Sequence, residues 1–355
     1  MPIISQSPSR LFEQSPKCKR LNVAKSHTFP VITHYATSDS EQYQDYAVKI
    51  LNCSNDIKIR VSVDIQMDSA SSRSSIENAR WCRVRQCPMC GLARSSKMRA
   101  RLFKGFSNYQ FDENAYSFLT LTVRNCPLSE LRASINDMSK AWDKLSRRRT
   151  FPILGYLRSL EVTMQRERMP WDKKKNTGPP VRSDSGQLMA HPHFHIVLHT
   201  ESGFEKHLKD KQWLVDLWTQ SLRSDYRPSI SIDKIRPRNG DFEKSLLETC
   251  KYTTKPGDFA DDDPSTHAPK KGYEPLFIYV PHGAEWLYGI TEQLHNLRAI
   301  RLGGTFAEIC PQSVLDKIDD SCEGEDAQSQ LGGLIRLIWN DSFCKFRVFD
   351  DEAID

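Results

Sequence analysis

The stretch His191-Pro-His-Phe-His-Ile-Val-Leu198 decides the fold, because its alternation predicts a β-strand with two different faces. One face carries Phe194, Ile196 and Leu198, and it requires a hydrophobic core. His193 and His195 share the other face, about 6.6 Å apart along the strand. Two imidazoles at this spacing can converge on one metal ion. Two ordinary surface or core histidines are the alternative interpretation.

Two earlier stretches predict partner strands for the histidine strand. Ser117–Arg124 and Ile153–Met164 both alternate between apolar and polar residues. In the second stretch Glu161 lies on the polar face, and residues 165–190 predict a long solvated loop. An antiparallel pair across that loop would bring Glu161 beside the histidines. A surface glutamate without a ligand role is equally compatible with the pattern.

A cysteine cluster precedes these strands. Cys82, Cys87 and Cys90 fall within nine residues and end in Cys-Pro-Met-Cys-Gly, a knuckle that lets two thiolates reach one ion. We predict a structural zinc site, with Cys53 as the fourth ligand, because Cys53 lies at the turn before a predicted strand. Cys18 is the poorer alternative. The knuckle is followed by a predicted basic helix from Leu92 to Phe106.

A helix is predicted over residues 241–255, where apolar side chains fall on one broad arc. Glu248, Tyr252 and Lys255 fall on the opposite arc. A tyrosine flanked by a carboxylate and an ammonium is chemically suggestive. The same Glu–Lys spacing is also common on solvated helices.

Length and composition set the frame for these motifs. A chain of 355 residues should hold about two domains. No run approaches the roughly 18 apolar residues of a membrane span, and the N-terminus has no signal-peptide apolar region. We therefore expect a cytoplasmic protein without a membrane partner, whose clustered cysteines bind metal and do not form disulfides.

The charge distribution indicates a polyanionic ligand. Net charge is +5, but residues 80–110 carry eight bases and no acid: Arg80, Arg83, Arg85, Arg94, Lys97, Arg99, Arg101 and Lys104. The segment after residue 311 is acidic. A basic block beside an acidic end favours nucleic acid bound at one side, with a solvated charged helix as the plainer alternative.

These observations predict an α+β protein built on a central antiparallel sheet with flanking helices, preceded by a small Cys-rich, zinc-ribbon-like module. We divide the chain into a disordered arm (1–45), a zinc-binding and basic DNA-contacting module (46–110), a main domain (111–290) and a C-terminal extension with an acidic loop (291–355). Strands predicted near the C-terminus are expected to close the main sheet.

The order of the motifs resembles a known family. The motifs follow one another in an order that looks like that of a plasmid rolling-circle replication initiator. They are Phe118-Leu-Thr-Leu-Thr122, Leu160-Glu-Val-Thr163, the histidine strand and Glu248-x3-Tyr252-x2-Lys255, with Cys82, Cys87 and Cys90 upstream. The chain resembles the HUH endonuclease superfamily, in the group with one tyrosine preceded by a glutamate. The match runs from about Cys53 to Lys255, although the long loop at 165–190 departs from the compact spacing of the family.

The resemblance implies a fold, an activity and partners. The main domain would be an HUH nuclease, in which His193, His195 and Glu161 hold a catalytic Mg²⁺ or Mn²⁺. Tyr252 would nick origin DNA through a 5′-phosphotyrosine, Lys255 would steady charge, and Glu248 would act as a general base for water that ends the reaction. The cysteine module would help to recognise the plasmid origin, and a host helicase and DNA polymerase would be further partners.

Two alternatives stay open at this point. A transposase or a relaxase would use the same nicking chemistry on another target. A zinc-ribbon nucleic-acid binding protein with structural histidines would bind DNA without cleaving it.

Overall fold

A computed structural model describes residues 8–66, 69–106, 112, 115–167, 178–204, 206, 208, 211–235, 281–311 and 332–350. Within these residues the protein is α+β, with two antiparallel sheets flanked by helices, as the sequence predicts. The chain forms two compact units. The first consists of Met1–Lys97 with Ile318–Asp355, and the second of Met98–Lys317.

The first unit begins with four helices: α1 (Pro8–Glu13), α2 (Pro16–Ser26), α3 (Thr28–Ala36) and α4 (Glu41–Leu51). The prediction of a disordered arm over residues 1–45 is therefore wrong for residues 8–45. Phe12, Leu21, Val31, Tyr35 and Ile50 are all fully buried. These large apolar residues are few among Ser, Gln and Lys, but each one is buried. The average composition of the segment therefore suggests disorder although the helices have a packed core.

The sheet of the first unit joins the two ends of the chain. A hairpin of β1 (Asp56–Gln66) and β2 (Ser69–Ala79) pairs through β1 with β9 (Gly332–Asn340), which in turn pairs with β10 (Lys345–Asp350). Ile57, Ile59 and Val61 alternate into the core, as the sequence pattern predicts, and meet Ile335 and Leu337 there.

The expected C-terminal extension is thus part of the N-terminal unit in residues 332–350. Strands were expected in this segment, but the expectation that they close the main sheet is wrong for residues 332–350, because β-periodicity carries no information on which edge a strand joins. The basic helix is also present, as α5 (Pro88–Phe106). It begins four residues earlier than predicted, at a proline, which suits the first helical position.

The second unit is built on a six-stranded sheet with the order β7-β3-β6-β5-β8, to which β4 adds at β6. The strands are β3 (Tyr116–Thr122), β4 (Cys126–Pro127), β5 (Ile153–Met164), β6 (Met189–Thr200), β7 (Ile230–Lys234) and β8 (Ile300–Gly304). The histidine strand is β6, with β3 on one side and β5 on the other, both antiparallel to it. Residues 300–304 pair with β5, so this unit continues beyond the predicted boundary at residue 290.

Helices of the second unit are α6 (Leu131–Leu145), α7 (Lys211–Leu222), α8 (Pro281–Gln293) and α9 (Thr305–Ile309). Trp142 of α6 meets Tyr156 of β5 edge to face, with ring centroids 4.9 Å apart. Tyr156 is the register partner of Leu198, so α6 covers the sheet face that carries Phe194, Ile196 and Leu198. This packing leaves the histidines on the other face.

The described residues between β5 and β6, 165–167 and 178–188, include backbone pairing where the sequence predicts a solvated loop. The Val181 amide donates to the Gln165 carbonyl at 2.9 Å, and the Met189 amide donates to the Val181 carbonyl at 3.0 Å. Leu188 is fully buried. The polar composition of the segment conceals this pairing, because backbone hydrogen bonds do not depend on side-chain character.

Candidate active site and metal centres

The register of β5 on β6 builds a three-residue site. Glu161 pairs with His193, and Ser159 pairs with His195, so the glutamate and both histidines share one sheet face. Glu161 Oε2 lies 3.0 Å from His193 Nε2 and 2.7 Å from His195 Nε2. The antiparallel pair predicted across residues 165–190 therefore brings the three candidate residues together.

The remaining ring nitrogen of each histidine also has a partner. His193 Nδ1 lies 3.2 Å from the carbonyl oxygen of His191, and His195 Nδ1 lies 3.2 Å from Thr120 Oγ1. The ring of Phe118 stacks nearly parallel to that of His195, with centroids 5.5 Å apart. These contacts hold each imidazole with Nε2 directed at the carboxylate.

The site is enclosed and negatively charged at its centre. The side chains of His193, His195 and Glu161 are 11, 13 and 15% exposed. Burial alone would raise the pKa of Glu161, but hydrogen bonds from His193 and His195 outweigh it and lower the pKa to about 2. The carboxylate is therefore ionised throughout the neutral range.

The donor set fits a divalent metal ion. Two imidazole nitrogens and one carboxylate oxygen lie within 4.8 Å of one another. A metal-bound histidine normally donates its second ring N–H to a carbonyl, carboxylate or hydroxyl, and both histidines have such an acceptor here. Transition metals accept this mixed set readily, whereas Mg²⁺ prefers oxygen.

Other polar residues near these ligands were not singled out from the sequence. His191 Nδ1 lies within hydrogen-bonding distance of Asn125 Oδ1, and the ring centroids of His191 and His193 are 5.2 Å apart. Thr120 was part of a recognised motif but had no assigned role. Its position directly opposite His195 follows from the register of β3 on β6, and pairing the predicted strands would have revealed it.

The four predicted cysteines also come together. The Sγ atoms of Cys53, Cys82, Cys87 and Cys90 lie within 4.8 Å of one another, and none of the four forms a disulfide. Cys90 Sγ is 3.6 Å from the Sγ atoms of both Cys53 and Cys82. Sulfurs about 2.3 Å from a tetrahedral zinc ion would be ~3.8 Å apart, so the cluster fits zinc in ligand type and spacing.

Local backbone conformation explains how the cysteines converge. Ser54 and Arg83 follow Cys53 and Cys82 directly, and both adopt positive φ angles, of 55° and 61°. Ser54 N also donates to the Arg80 carbonyl at 2.7 Å, which joins the two loops. Hydrogen bonds from Cys82, Cys87 and Cys90 lower the pKa of Cys53, which favours thiolate at the centre of the cluster.

Glu248, Tyr252 and Lys255 lie outside the described residues, as does the acidic loop over 319–330. Among the helices that the structure does describe, none combines the length and apolarity needed to cross a membrane.

Fold and sites together define an α+β protein with a carboxylate–histidine centre on one sheet and a four-cysteine cluster in a separate unit. A sequence model described as "Replication protein" matches residues 73–342, which is well over half of the chain. The chain belongs to this replication protein family. The resemblance drawn from the motifs is thereby confirmed at the level of the family.

Individual relatives are described as "Protein rep". The chain is 29% identical over 187 residues to a "Protein rep" of Streptococcus pneumoniae serotype 2 (strain D39 / NCTC 7466), over 50% of this chain and 52% of the relative. A "Protein rep" of Lactiplantibacillus plantarum is 30% identical over 198 residues, covering 52% and 56%. A "Protein rep" of Lentilactobacillus hilgardii is 24% identical over 292 residues, covering 78% and 81%.

In the first two alignments the chain spans about half the length of the relative that it matches. No solved structure matches the chain.

Proposed function

We propose that this protein is a rolling-circle replication initiator that nicks single-stranded or extruded plasmid origin DNA in a metal-dependent reaction. The observation that carries the proposal is the convergence of Glu161 Oε2 with His193 Nε2 and His195 Nε2 in a member of the replication protein family. Replication requires a free 3′-hydroxyl, and site-specific nicking supplies one.

Glu161, His193 and His195 would hold one divalent cation, Mg²⁺ or Mn²⁺. When bound, the ion supplies Lewis-acid polarisation of a non-bridging oxygen of the scissile phosphate. The three side chains are preorganised for this role by β-sheet pairing. Their second-ring hydrogen bonds restrict rotation before any ligand arrives.

The nucleophile in this proposal is Tyr252. Its phenolic oxygen forms a bond to phosphorus as the bond from phosphorus to the 3′-oxygen breaks, giving a 5′-phosphotyrosine and a 3′-hydroxyl. The phenolic proton is lost to a base, and the departing oxygen gains a proton. The covalent link conserves the phosphodiester energy, so a later 3′-hydroxyl can reverse the reaction and reseal the strand.

Lys255 and Glu248 have supporting roles in the proposal. Lys255 follows Tyr252 by three positions and would stabilise negative charge on the phosphate or the phenolate. Glu248 precedes Tyr252 by four positions, a spacing that would place both side chains on one face of the predicted helix. It would accept a proton from water that cleaves the second scissile site, so that replication ends without a new covalent link.

The cysteine cluster would hold a structural zinc ion and, with the basic residues around α5, contribute to origin binding. Origin DNA is the primary partner. A host helicase would then unwind the DNA, and a host DNA polymerase would extend the 3′-end, both in the cytoplasm. Both candidate sites therefore have a place in one reaction.

Trapping of a covalent adduct tests the proposal. A labelled single-stranded origin oligonucleotide is incubated with protein and Mn²⁺, and the DNA–peptide adduct is mapped by mass spectrometry. We expect the adduct at Tyr252, and Tyr252→Phe should abolish it while DNA binding persists. An adduct at another tyrosine would refute the assignment, and metal-independent binding without cleavage would favour the non-catalytic DNA-binding alternative.

Termination provides a separate test of Glu248. Glu248→Ala should retain the first nick by Tyr252 but reduce hydrolytic termination, so that over-length replication products accumulate. Equal loss of both steps would assign Glu248 to the metal or the fold. A transposase or relaxase would share the adduct but would act on a different target, which cleavage of the plasmid origin distinguishes.

A further inference from the structure

The hydrogen-bond partners of the two histidines differ in a way that assigns a role to Thr120. His193 Nδ1 faces a main-chain carbonyl, which can only accept a hydrogen bond. His195 Nδ1 faces the hydroxyl of Thr120 at 3.2 Å, and a hydroxyl can donate or accept. His195 therefore has a partner that suits either tautomer of its ring.

The neutral His195 ring carries one proton, on Nδ1 or on Nε2, and the Thr120 hydroxyl can serve either form. When Nε2 binds a cation, its lone pair must be free, so the ring proton belongs on Nδ1 and the hydroxyl accepts from it. Nε2 also lies 2.7 Å from Glu161 Oε2, and a hydrogen bond between these two atoms requires the proton on Nε2. In that form the hydroxyl donates to Nδ1.

The contacts around Thr120 show which groups orient the His195 ring. Thr120 pairs directly with His195 in the register of β3 on β6, and Phe118 stacks on the same imidazole from two residues earlier. Ser159 Oγ donates to the main-chain carbonyl of His195 at 3.2 Å, which holds the backbone but not the ring. The ring is thus oriented by Phe118 and by the Thr120 hydroxyl.

We propose that Thr120 is a positioning residue whose hydroxyl keeps the His195 ring aimed at the metal position in both tautomers. This inference rests on the proposed metal role of His193, His195 and Glu161. It explains why a threonine at this strand position, and not merely a β-branched residue, serves the site. Valine would preserve the shape of the side chain and remove only the hydroxyl.

Metal affinity and histidine tautomers test this role without reference to cleavage. Mn²⁺ binding is titrated for the wild type, Thr120→Val, Thr120→Ser and His195→Ala. We expect Thr120→Val to weaken Mn²⁺ binding about tenfold or more, as is usual when a partner of a metal-bound histidine is removed. Thr120→Ser should restore binding. The control is Thr122→Val, because Thr122 is on the same strand but bonds to the Ser229 carbonyl at 2.7 Å.

Nitrogen-15 spectra of histidine-labelled, metal-free protein give the second readout, with the His195 signals assigned from His195→Ala. In the wild type the ring should be the Nε2–H tautomer, and Thr120→Val should change its ring shifts. Wild-type Mn²⁺ affinity and unchanged ring shifts in Thr120→Val would overturn the role of Thr120. Wild-type affinity in His195→Ala would instead contradict the proposed metal site itself.

A second inference concerns Lys25, which is buried beside the cysteine cluster. Lys25 is 4% exposed, and its Nζ donates to the carbonyls of Cys53 at 2.6 Å and Leu51 at 3.3 Å. An ammonium that is removed from water requires compensating negative charge as well as hydrogen bonds. The two carbonyls supply hydrogen bonds but no net charge.

The nearby cysteines can supply that charge, and Asp341 adds a further negative charge that acts on Lys25. Four thiolates around a zinc dication carry a net charge of about −2, and one of these cysteines is Cys53, whose carbonyl Lys25 contacts. The ammonium and a loaded cluster would therefore stabilise each other in a region of low dielectric. Lys25 belongs to α2, so the contact ties a helix of the N-terminal segment to the cluster.

We infer that Lys25 balances the charge of a zinc-loaded cysteine cluster and couples zinc affinity to the folding of the N-terminal helices. The inference depends on the proposed zinc site but not on nicking. Lys25→Met removes the charge and keeps the aliphatic stem. Leu21→Ala is the matched comparison, because Leu21 is buried in the same helix and carries no charge.

Competition with a chromophoric chelator measures zinc affinity, and thermal unfolding measures stability. We expect Lys25→Met to weaken zinc binding by about tenfold, beyond the effect of Leu21→Ala. Lys49→Met should change neither quantity, since Lys49 is 51% exposed and pairs with Asp45. Zinc affinity lowered equally by Lys25→Met and Leu21→Ala, or by neither, would assign Lys25 to packing alone. A wild-type protein that purifies without zinc would contradict the zinc site itself.

Discussion

The carboxylate–histidine centre and the cysteine cluster both gather ligands from separate parts of the chain, but in different ways. Glu161, His193 and His195 stand on two long paired strands, where one backbone register places all three. The cysteines come from Cys53 after a helix, Cys82 in a loop and Cys87 with Cys90 around the start of α5. The first site is held by one sheet, whereas the second joins two loops and the start of a helix.

This difference predicts how the two sites depend on metal. Strand pairing and a buried core exist without any ion, so the histidine site should be preformed. Loop-borne cysteines gain much of their order from the ion that they bind, and metal binding then contributes to folding. Changes to the histidine site should therefore reduce activity, whereas changes to the cysteine cluster should reduce folding stability.

Removal of a cysteine ligand has the largest expected effect. Cys87→Ser should eliminate about one equivalent of zinc per chain and unfold the region around the cluster, because structural zinc contributes folding free energy directly. Metal analysis and circular dichroism measure the two losses. Cys344→Ser is the control, as this cysteine lies outside the cluster. A Cys87→Ser protein with native stability would contradict the expectation that the cysteine cluster depends on metal for its structure.

Removal of a histidine ligand should affect chemistry far more than structure. His195→Ala should lower metal-dependent cleavage by about a hundredfold or more, on the scale of losing one key electrostatic group. The melting temperature should change little, because the large apolar residues of the sheet remain in place. His295→Ala, at an exposed position, is the control. Undiminished cleavage by His195→Ala would refute the ligand assignment.

A core substitution in the C-terminal strands is expected to affect the first unit and not the second. Leu337 is fully buried in the first sheet, and Leu337→Ala should lower the free energy of unfolding of that unit by about 2–5 kcal/mol. Zinc affinity should fall with it, while Mn²⁺ binding at the histidine site persists. The neighbouring Ile338 is 37% exposed, so Ile338→Ala should have a much smaller effect. Equal effects would contradict the assignment of strand faces.

Acid titration gives the smallest expected effect. The pKa of Glu161 is lowered from 4.5 to about 2 in the metal-free site. A lowered pKa stabilises the folded state above the unfolded pKa, and this contribution is lost as pH falls through the interval from 4.5 to about 2. Glu161→Gln should flatten the stability profile in that interval. An identical profile in the variant would show that the histidines do not stabilise the carboxylate.

Much of the fold could be predicted because local pattern and burial agree. Ile153–Met164 was predicted as a strand with its observed ends, and a strand was expected after Cys53, where β1 begins at Asp56. The N-terminal helices were missed because α2 buries Leu21 and Lys25 amid charged residues, which leaves little apolar periodicity. Lysine stems can pack while the ammonium finds partners, and composition does not reveal this.

The sequence by itself indicated the candidate ligand pairs, since the spacing of His193 and His195 and of Cys87 and Cys90 follows directly from strand and knuckle geometry. Only the tertiary structure decided that residues 332–350 pair with β1, that Thr120 faces His195 and that Lys25 reaches Cys53. These contacts join residues far apart in the chain. Their choice depends on which edges, faces and charges must be satisfied together, and a local pattern does not contain that information.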